Sequence, residues 1–319
     1  MEKTISVVIL SKNNGRTLGF TLLSVLKSKL PPGYSREVIV VDAHSTDNTQ
    51  RILDRFRPYI KVVYDEGRGI GIARNIGVLA SKGSYICFVD ADCIVGADHF
   101  ARVVEAFERG ADVVDVKAGG SQASTKIERL EELVWRYGRA YSEEMMRGRC
   151  FAGGAFIAFK RDVFDRVKGF WLYPPYGADD LDFSFRAWKA GFRISVVEVP
   201  GTASRFRRGV RELIRQQIGW GRGIAHVIAR YRHDRDYWRC YKLNSFLYRV
   251  LGDAVWLYPI VAALLAPVRG FQLSLKTRKP EMFFYWTVRR WAFLYGILSE
   301  LRRAFLAQGV RAKIKVREA

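Results

Sequence analysis

The sequence predicts an α/β fold in which helices cover a mostly parallel β-sheet. In the first 120 residues, short apolar runs alternate with segments that carry helical patterns. Continuous apolar runs indicate strands that are buried on both faces, as they are in a parallel sheet. Two of these runs end in aspartate, and open parallel sheets bind their ligands at the carboxyl ends of their strands.

Glycine, proline and helix-capping residues mark the ends of these elements. The first two strands are predicted over Ile5 to Leu10 and Glu37 to Val41, and Pro31-Pro32-Gly33 ends the helix between them. The next two strands are predicted over Lys61 to Tyr64 and Tyr85 to Val89. A helical segment separates each consecutive pair, as the crossover between parallel strands requires.

After residue 120 the pattern is less regular but still predicts both kinds of element. The predicted elements are a helix over Thr125 to Met146, a strand over Ala155 to Phe159, a helix over Ala178 to Ala190, a strand over Ile194 to Val199 and a helix over Val210 to Tyr231. A chain of 319 residues is long enough for one large domain with an additional region.

Positive charge is concentrated near the C-terminus. Residues 201–319 contain 24 Lys and Arg but only 7 Asp and Glu, whereas the whole chain contains 53 and 32. A basic surplus of this kind favours anionic partners, which are nucleic acids, diphosphates or an acidic membrane leaflet.

Two apolar runs in the same region favour the membrane among these partners. They are Ala254 to Val268 and Met282 to Leu298, and the second is interrupted by Arg289 and Arg290. A spanning helix needs about 20 mainly apolar residues, so neither run is a clean span. We expect an interfacial or re-entrant membrane contact, with buried core helices or an oligomer interface as the alternative.

The cysteines and the N-terminus indicate the cell compartment. The four cysteines form no Cys-x-x-Cys pair and predict reduced core residues of a cytoplasmic protein. The N-terminus lacks the apolar region of a signal peptide. We therefore expect the protein at the cytoplasmic face of the cell membrane.

Asp90-Ala91-Asp92 follows the apolar run Tyr85 to Val89, so both carboxylates are expected at the carboxyl edge of the sheet. Oxygen ligands suit Mn²⁺ or Mg²⁺, and Mg²⁺ typically uses one or two protein carboxylates together with substrate phosphates. The motif therefore predicts a site for Mn²⁺ or Mg²⁺ at Asp90 and Asp92. The alternative is a solvated turn, in which aspartate is also common.

Two other phosphate-binding classes do not fit the sequence. Gly67-x-Gly69-x-Gly71 has the spacing of a dinucleotide-binding loop, but that loop belongs directly after the first strand. The chain also lacks the Gly-x-x-x-x-Gly-Lys-Ser/Thr motif of P-loop enzymes. The glycines instead indicate a tight loop that passes close to a ligand, or a flexible loop tip.

The order and spacing of several motifs together are more specific than any one of them. The motifs are Ser6 to Asn13, Val40 to Asp47, Arg68 to Gly77, Phe88 to Asp92, Gly153-Gly154 and Asp179-Asp180-Leu181-Asp182. With these motifs, residues 4 to 225 resemble the family 2 inverting glycosyltransferases of the GT-A fold. The resemblance implies a GT-A glycosyltransferase domain over residues 1–232 and a basic, hydrophobic, membrane-associated helical tail over residues 233–319.

The resemblance implies a nucleotide-binding site at the carboxyl edge of the sheet. Its residues would be Ser11, Asn13, Asp42, Arg74, Asp90 and Ala91. Asp42 would bind the base, and Asp92 with Asp90 would hold the metal. The sequence departs from the family at Ala43 and His44, where many members carry Asp-Gly, so the resemblance does not define the base.

The acidic motif is the position at which the family carries its general base. A sugar hydroxyl is a poor nucleophile until a base takes its proton in the transition state. The resemblance implies Asp180 as that base, with Asp179 as the alternative. Asp182 is expected to have a structural role, because aspartate also caps helix N-termini.

The resemblance also implies residues for the acceptor, namely Gly153, Gly154, Gln217, Trp220 and Arg222. Processive members carry Gln-x-x-Arg-Trp where this chain has Gln216 to Trp220, with Gly219 in place of the arginine. This departure indicates the addition of one sugar at a time. Trp220 is suited to stacking on a sugar ring.

The sequence therefore predicts a metal-dependent inverting glycosyltransferase that uses a UDP- or GDP-linked sugar. The acceptor is expected to be a hydroxyl group on a lipid-linked or polymeric glycan, at an anionic membrane surface and with no nucleic-acid partner. One alternative is a polyprenyl-phosphate glycosyl synthase, whose acceptor is a phosphate. Others are a nucleotidyltransferase and a basic scaffold, bound to membrane or nucleic acid, that retains a transferase fold.

Overall fold

The computed structural model describes residues 3–120, 123–145, 150–172, 176–205, 207–240 and 250–318. The chain divides into two compact units. The first, called here the sheet unit, comprises Met1–Gln122, Arg149–Pro175 and Asp179–Arg205. The second, the helical unit, comprises Ala123–Gly148, Tyr176–Ala178 and Phe206–Ala319. The domain boundary predicted between residues 232 and 233 stays a prediction.

The sheet unit contains eight strands in the order β3-β2-β1-β4-β7-β6-β8-β5. The strands are β1 (Lys3–Ser11), β2 (Tyr34–Asp42), β3 (Lys61–Tyr64), β4 (Tyr85–Phe88), β5 (Cys93–Ile94), β6 (Val113–Gly120), β7 (Ile157–Lys160) and β8 (Ile194–Ser204). Its helices are α1 (Leu18–Lys27), α2 (Thr49–Phe56), α3 (Ile70–Leu79), α4 (His99–Glu108), α6 (Arg161–Val167) and α7 (Asp179–Lys189).

The sheet is mixed, with its parallel part formed by the first strands of the chain. Strand β1 lies parallel to β2 and β4, β2 lies parallel to β3, and β6 lies parallel to β8. Antiparallel β7 joins β4 to β6, and short β5 pairs antiparallel with β8. The predicted α/β fold with a helix-covered sheet is confirmed, and the antiparallel pairs all involve strands beyond the first four.

Two hydrophobic clusters cover the two faces of the sheet, because side chains alternate along each strand. Val7 and Ile9 belong to the cluster that contains residues of α1, α2 and α4. Val8 belongs to the cluster that contains residues of α3, α6 and α7. Strands β1 and β4 and the second half of β2 are buried on both faces, which explains why these segments are mainly apolar.

The carboxyl ends of three neighbouring strands form one row. Ser11 of β1 pairs with Asp42 of β2, and Asp42 pairs with Tyr64 of β3. Strand β4 lies on the other side of β1, and the Asp90-Ala91-Asp92 motif follows it. The sheet therefore places the predicted nucleotide and metal residues along one edge.

Two sequence-based expectations need correction. A 3-10 turn occupies Gly154–Phe156, and the strand predicted over Ala155 to Phe159 begins only at Ile157. Of the cysteines, Cys87 and Cys93 are free and buried, as expected. Cys150 and Cys240 are each disulfide-bonded, so the prediction of reduced cysteines was wrong for these two residues. The prediction of a cytoplasmic location therefore loses the support of these cysteines.

The helical unit contains α5 (Lys126–Met145), α8 (Val210–Tyr231), α9 (Arg235–Cys240), α10 (Tyr258–Leu264), α11 (Ala266–Thr277) and α12 (Glu281–Glu318). Helices α8 and α12 pack closely where Gly221 meets Gly296. A Cβ atom on Gly221 would lie 2.1 Å from the carbonyl oxygen of Phe293, so only glycine allows this approach.

Large apolar side chains are exposed along two helices of this unit. On α11 they are Val268, Phe271 and Leu275, and on α12 they are Phe284, Val288, Trp291, Tyr295 and Leu298. Within the described ranges, no single helix combines the length and apolar composition of a membrane span. The segments Gly252–Leu264 and Ala266–Thr277, bent by 53°, meet that test only as a pair.

Candidate active site

The sheet unit brings the predicted catalytic and metal residues into one electrostatic cluster. Asp90 follows β4, whereas Asp179 and Asp180 begin α7. Burial raises the pKa of Asp90 to about 7, the nearby Arg74 opposes this shift, and the carboxylates of Asp92, Asp180 and Asp179 reinforce it. A cluster of this kind, at the carboxyl edge of a sheet, is typical of a functional site.

Asp90 and Asp92 are the residues that could hold a divalent cation. One carboxylate oxygen of each and the sulfur of Cys93 lie within 4.8 Å of one another. Sulfur is a soft ligand, and Mn²⁺ and Mg²⁺ prefer oxygen, so the two carboxylates are better candidates than Cys93. The two carboxylates fit Mn²⁺ or Mg²⁺, which prefer oxygen.

Arg74 is buried beneath the acidic motif. It is 4% exposed, and its Nε lies 2.9 Å from Oδ2 of Asp179. The guanidinium also stacks on the rings of Phe88 and Phe170, at 4.8 and 5.3 Å. Burial raises the pKa of Asp179 to about 6, although Arg74 acts in the opposite direction. The predicted role of Arg74 in nucleotide binding stays a prediction.

Backbone groups of Gly153 and Gly154 connect these side chains. The N–H of Gly154 donates to Oδ2 of Asp180 at 2.7 Å, and Arg74 Nη2 donates to the carbonyl oxygen of Gly154 at 3.1 Å. The N–H of Leu181 donates to the other oxygen of Asp180 at 2.9 Å. Asp180 is therefore held by two backbone groups while remaining only partly buried.

Asp182 lies next to this cluster and adds to the burial-driven rise in the pKa of Asp179, but its carboxylate is held in an ion pair of its own. It is fully buried, and its Oδ2 lies 2.7 Å from Nε of Arg186, one helical turn along α7. The prediction of a structural role for Asp182 agrees with this ion pair.

The structure adds Asp115, which the sequence interpretation missed. Asp115 lies on β6, is almost fully buried, and accepts the N–H of Gly153 at 3.1 Å. Burial raises its pKa to about 6, and the charge of Asp180 adds to the shift. The signal in the sequence is a lone carboxylate within the apolar run Val113 to Val116.

The predicted base pocket lies at the ends of β1 and β2. Asp42 is fully buried and accepts hydrogen bonds from the N–H and hydroxyl of Ser45 and from Gln50 Nε2. Asn13, with a φ of 55°, accepts the N–H of Thr46 at 2.8 Å. These bonds show that Asp42 and Asn13 organise the loop after β2.

Ser11 and Ala91 complete the predicted nucleotide residues in the sheet unit. Ser11 is buried, and its hydroxyl has no hydrogen-bond partner in the described part of the chain. An orphaned hydroxyl at a sheet edge is available for a ligand. Ala91 is buried, and its carbonyl oxygen accepts the hydroxyl of Thr21 at 3.0 Å.

The remaining predicted acceptor residues belong to α8 of the helical unit. Gln217 is buried, Trp220 is exposed, and the guanidinium of Arg222 stacks on Tyr176 at 5.3 Å. Gln217 Nε2 and Arg222 Nε find no hydrogen-bond partner among the residues that the structure describes. Their role in acceptor binding stays a prediction.

A parallel sheet edge with an Asp-x-Asp motif and a second acidic motif on a helix is the arrangement that the sequence predicts for a nucleotide-dependent transferase. The family model described as glycosyl transferase family 2 matches residues 6–168 of the chain. The chain belongs to this family, and the predictions of its membership and of its class of enzyme are confirmed.

Two relatives differ in how much of this chain they match. A glucosyl-dolichyl phosphate glucuronosyltransferase from Haloferax volcanii is 32% identical over 324 residues, covering 92% of this chain and 96% of the relative. An uncharacterized glycosyltransferase from Nostoc is 29% identical over 181 residues, covering 51% of this chain. The matched region spans about half of the Nostoc protein, 52% of its length.

A solved structure confirms the fold. The mannosyltransferase PcManGT from Pyrobaculum calidifontis, in complex with GDP-Man and Mn²⁺, is similar with a TM-score of 0.62. The identity is 18%, and the match covers 94% of this chain and 88% of that one. The predicted GT-A fold with a C-terminal helical region is therefore confirmed.

Proposed function

We propose that this glycosyltransferase transfers a sugar from a nucleoside-diphosphate donor to a hydroxyl group of a lipid-linked or polymeric acceptor. One sugar is added at a time, with inversion at the anomeric carbon. The observation that carries the proposal is the position of Asp180, held by the N–H of Gly154 in the cluster that contains Asp90.

Asp180 acts in this proposal as the general base, with Asp179 as the alternative. As the acceptor oxygen bonds to the anomeric carbon, the carboxylate of Asp180 takes the hydroxyl proton. The bond between that carbon and the diphosphate oxygen breaks on the opposite side. Asp179 is the weaker candidate because it is only 2% exposed and is paired with Arg74.

The donor is proposed to bind along the edge formed by β2, β1 and β4. Ser11, Asn13 and Asp42 line the part of the site that binds the nucleoside. Arg74 and Ala91 are further residues of the same pocket. Asp90 and Asp92 would hold Mn²⁺ or Mg²⁺, which when bound neutralises charge on the departing diphosphate. PcManGT, the similar structure, contains GDP-Man and Mn²⁺, which supports this choice of donor class and ion.

Two observations support a lipid-linked acceptor at a membrane surface. The Haloferax relative, which is similar over nearly its whole length, is named for action on glucosyl-dolichyl phosphate. The helical unit combines exposed apolar side chains with a strong positive charge, as an anionic membrane surface would require. We propose Gly153, Gly154, Gln217, Trp220 and Arg222 as acceptor residues, and the cytoplasmic membrane face as the location.

A transfer assay with two acceptors tests the reaction. One acceptor is polyprenyl phosphate that already carries one glucose, and the other is polyprenyl phosphate itself, each offered with UDP- and GDP-linked sugars and Mn²⁺. We expect transfer to the glucose hydroxyl and its loss in Asp180→Asn, while Asp165→Asn, at an exposed position of α6, retains it.

The outcomes separate the alternatives. Transfer to polyprenyl phosphate alone, unaffected by Asp180→Asn, would replace the proposal with a phosphate-acceptor synthase, because a phosphate is ionised without a base. No transfer to either acceptor, with salt-sensitive nucleic-acid binding instead, would favour the scaffold.

A further inference from the structure

His44 has an unusual backbone conformation beside the predicted base pocket. Its φ is 50°, in the left-handed region that glycine adopts without strain and other residues adopt infrequently. A strained conformation at a functional edge indicates that its side chain has a use.

The His44 ring is exposed and stacked on Tyr64. The ring centroids are 5.3 Å apart and the planes differ by 16°. Tyr64 is itself 46% exposed at the end of β3. The pair therefore presents a flat aromatic surface, called here the His44–Tyr64 platform, at the carboxyl edge of the sheet.

Hydrogen bonds connect the platform to the predicted base pocket. The hydroxyl of Tyr64 donates to Gln50 Oε1 at 3.3 Å, and Gln50 Nε2 donates to Asp42 at 2.9 Å. Tyr64 and Ser11 are the register partners of Asp42 on its two sides. Ser11 adds a buried hydroxyl without a partner in the described ranges, so the same row contains an unused polar group.

The distance along the edge suits a nucleotide. The strands run in the order β3, β2, β1 and β4, and the platform lies at β2 and β3 while Asp90 and Asp92 follow β4. Two to three strand spacings separate the two groups, about 10 to 14 Å. This is the scale of an extended nucleoside diphosphate, with its phosphates near the carboxylates and its base at the platform.

We infer that the His44–Tyr64 platform binds the nucleobase of the donor by stacking, which makes His44 and Tyr64 nucleotide-binding residues. The inference rests on the proposed nucleotide-sugar donor and adds where its base binds. Aromatic rings stack on every base, and the imidazole can also bond a carbonyl oxygen of uracil or guanine. Asp42, which is fully buried, acts here by holding the loop that carries His44.

Calorimetric titration tests the platform with UDP, GDP and inorganic pyrophosphate, each in the presence of Mn²⁺. The proteins are the wild type, His44→Gly, Tyr64→Leu and a control, Tyr59→Leu, whose tyrosine is 66% exposed on the same unit. We expect both platform variants to bind the preferred nucleotide about tenfold more weakly. Pyrophosphate binding should stay within about twofold of the wild type, and Tyr59→Leu should bind all three probes normally.

The His44→Gly variant also serves as a control for folding. Glycine suits a φ of 50°, so the melting temperature of this variant should not fall. Nucleotide binding that both platform variants retain would overturn the inference and leave the proposed function intact. Equal losses for nucleotide and pyrophosphate would overturn it as well. A wild-type protein that binds neither UDP nor GDP would overturn the proposed function and the inference together.

Discussion

Gly153 and Gly154 are consecutive residues, but an added methyl group would have very different neighbours at the two positions. At Gly154 a Cβ would lie 2.4 Å from Arg74 Nη2 and 3.0 Å from Oδ2 of Asp180. At Gly153 its nearest neighbour would be Asp115 Oδ1 at 3.5 Å, an ordinary contact. Of the two glycines, Gly154 is therefore the one whose missing side chain leaves room for Arg74 and Asp180.

Gly154→Ala should therefore reduce kcat by about tenfold or more, because it moves Asp180, the proposed general base, away from its position. Gly19→Ala, in helix α1, is the control and should retain activity, because a Cβ there would meet only the side chain of Ile52 at 3.8 Å. Steady-state transfer kinetics measure both. Equal activities for the two variants would show that the contact between Gly154 and Asp180 does not matter for the reaction.

Asp180→Asn should lower kcat by about 100-fold or more, since an amide cannot accept the hydroxyl proton. Donor binding, measured by nucleotide titration, should remain, because Asp180 is assigned to the acceptor proton and not to the nucleotide. Asp165→Asn makes the same chemical change at an exposed position and should be active. Full hydroxyl transfer by Asp180→Asn would remove Asp180 from the mechanism.

Asp115 should make the free energy of unfolding depend on pH. Its pKa rises on folding from an ordinary 3.8 to about 6, so the native state binds more protons than the unfolded state between these values. Stability due to this group therefore falls as pH rises from about 4 to about 6, and the loss persists above that range.

Asp115→Asn removes the buried charge but keeps an oxygen that can accept the N–H of Gly153. Relative to the wild type, the variant should gain stability from pH 4 to pH 7, by up to about 3 kcal/mol. Denaturant unfolding at several pH values measures the difference. A difference that does not change with pH would contradict the assigned titration of Asp115.

Among the elements, helix α8 has two nearby glycines in different surroundings. A Cβ on Gly221 would lie 2.1 Å from a carbonyl oxygen of α12, whereas a Cβ on Gly219 would meet nothing within 4 Å. Gly221→Ala should lower the melting temperature of the protein by several degrees. Gly219→Ala should leave it unchanged or raise it, because alanine favours the helix by about 1 kcal/mol. Equal melting temperatures would contradict the close packing of α8 and α12.

The helices and strands also show how much of the fold the sequence could predict. The helix predicted over Val210 to Tyr231 agrees at both ends with α8, Val210–Tyr231. The start of β7 was placed too early, since Ala155 and Phe156 are apolar and only tertiary contacts make them a 3-10 turn. Apolar sequence alone does not distinguish these two structures.

The residues of the candidate site also show where prediction from sequence ends. Asp90, Asp92, Asp179 and Asp180 were identified because carboxylates follow a strand or begin a helix in a known order. Asp115 was missed because its contact with Gly153 joins residues 38 positions apart. The stacking of His44 on Tyr64 was also beyond the sequence, because it depends on the pairing of β2 with β3.

At the scale of the whole molecule, the charge and the exposed apolar side chains predict binding to anionic membranes. The protein should bind vesicles of phosphatidylcholine and phosphatidylglycerol more tightly than phosphatidylcholine alone, and less tightly in high salt. Trp291→Asp on α12 should weaken binding, whereas Leu79→Asp, at an exposed leucine of the sheet unit, should not. Vesicle flotation measures both, and equal binding to the two kinds of vesicle would contradict an anionic membrane partner.

The central claim is that the sheet edge binds a nucleoside diphosphate together with a divalent ion. Calorimetric titration of UDP and GDP, with and without Mn²⁺, tests it most directly on the wild type, Asp92→Ala and the exposed control Asp98→Ala. We expect one nucleotide to bind in a Mn²⁺-dependent manner to the wild type and to Asp98→Ala, and not to Asp92→Ala. Binding of neither nucleotide with any metal, or equal binding to Asp92→Ala, would contradict the claim.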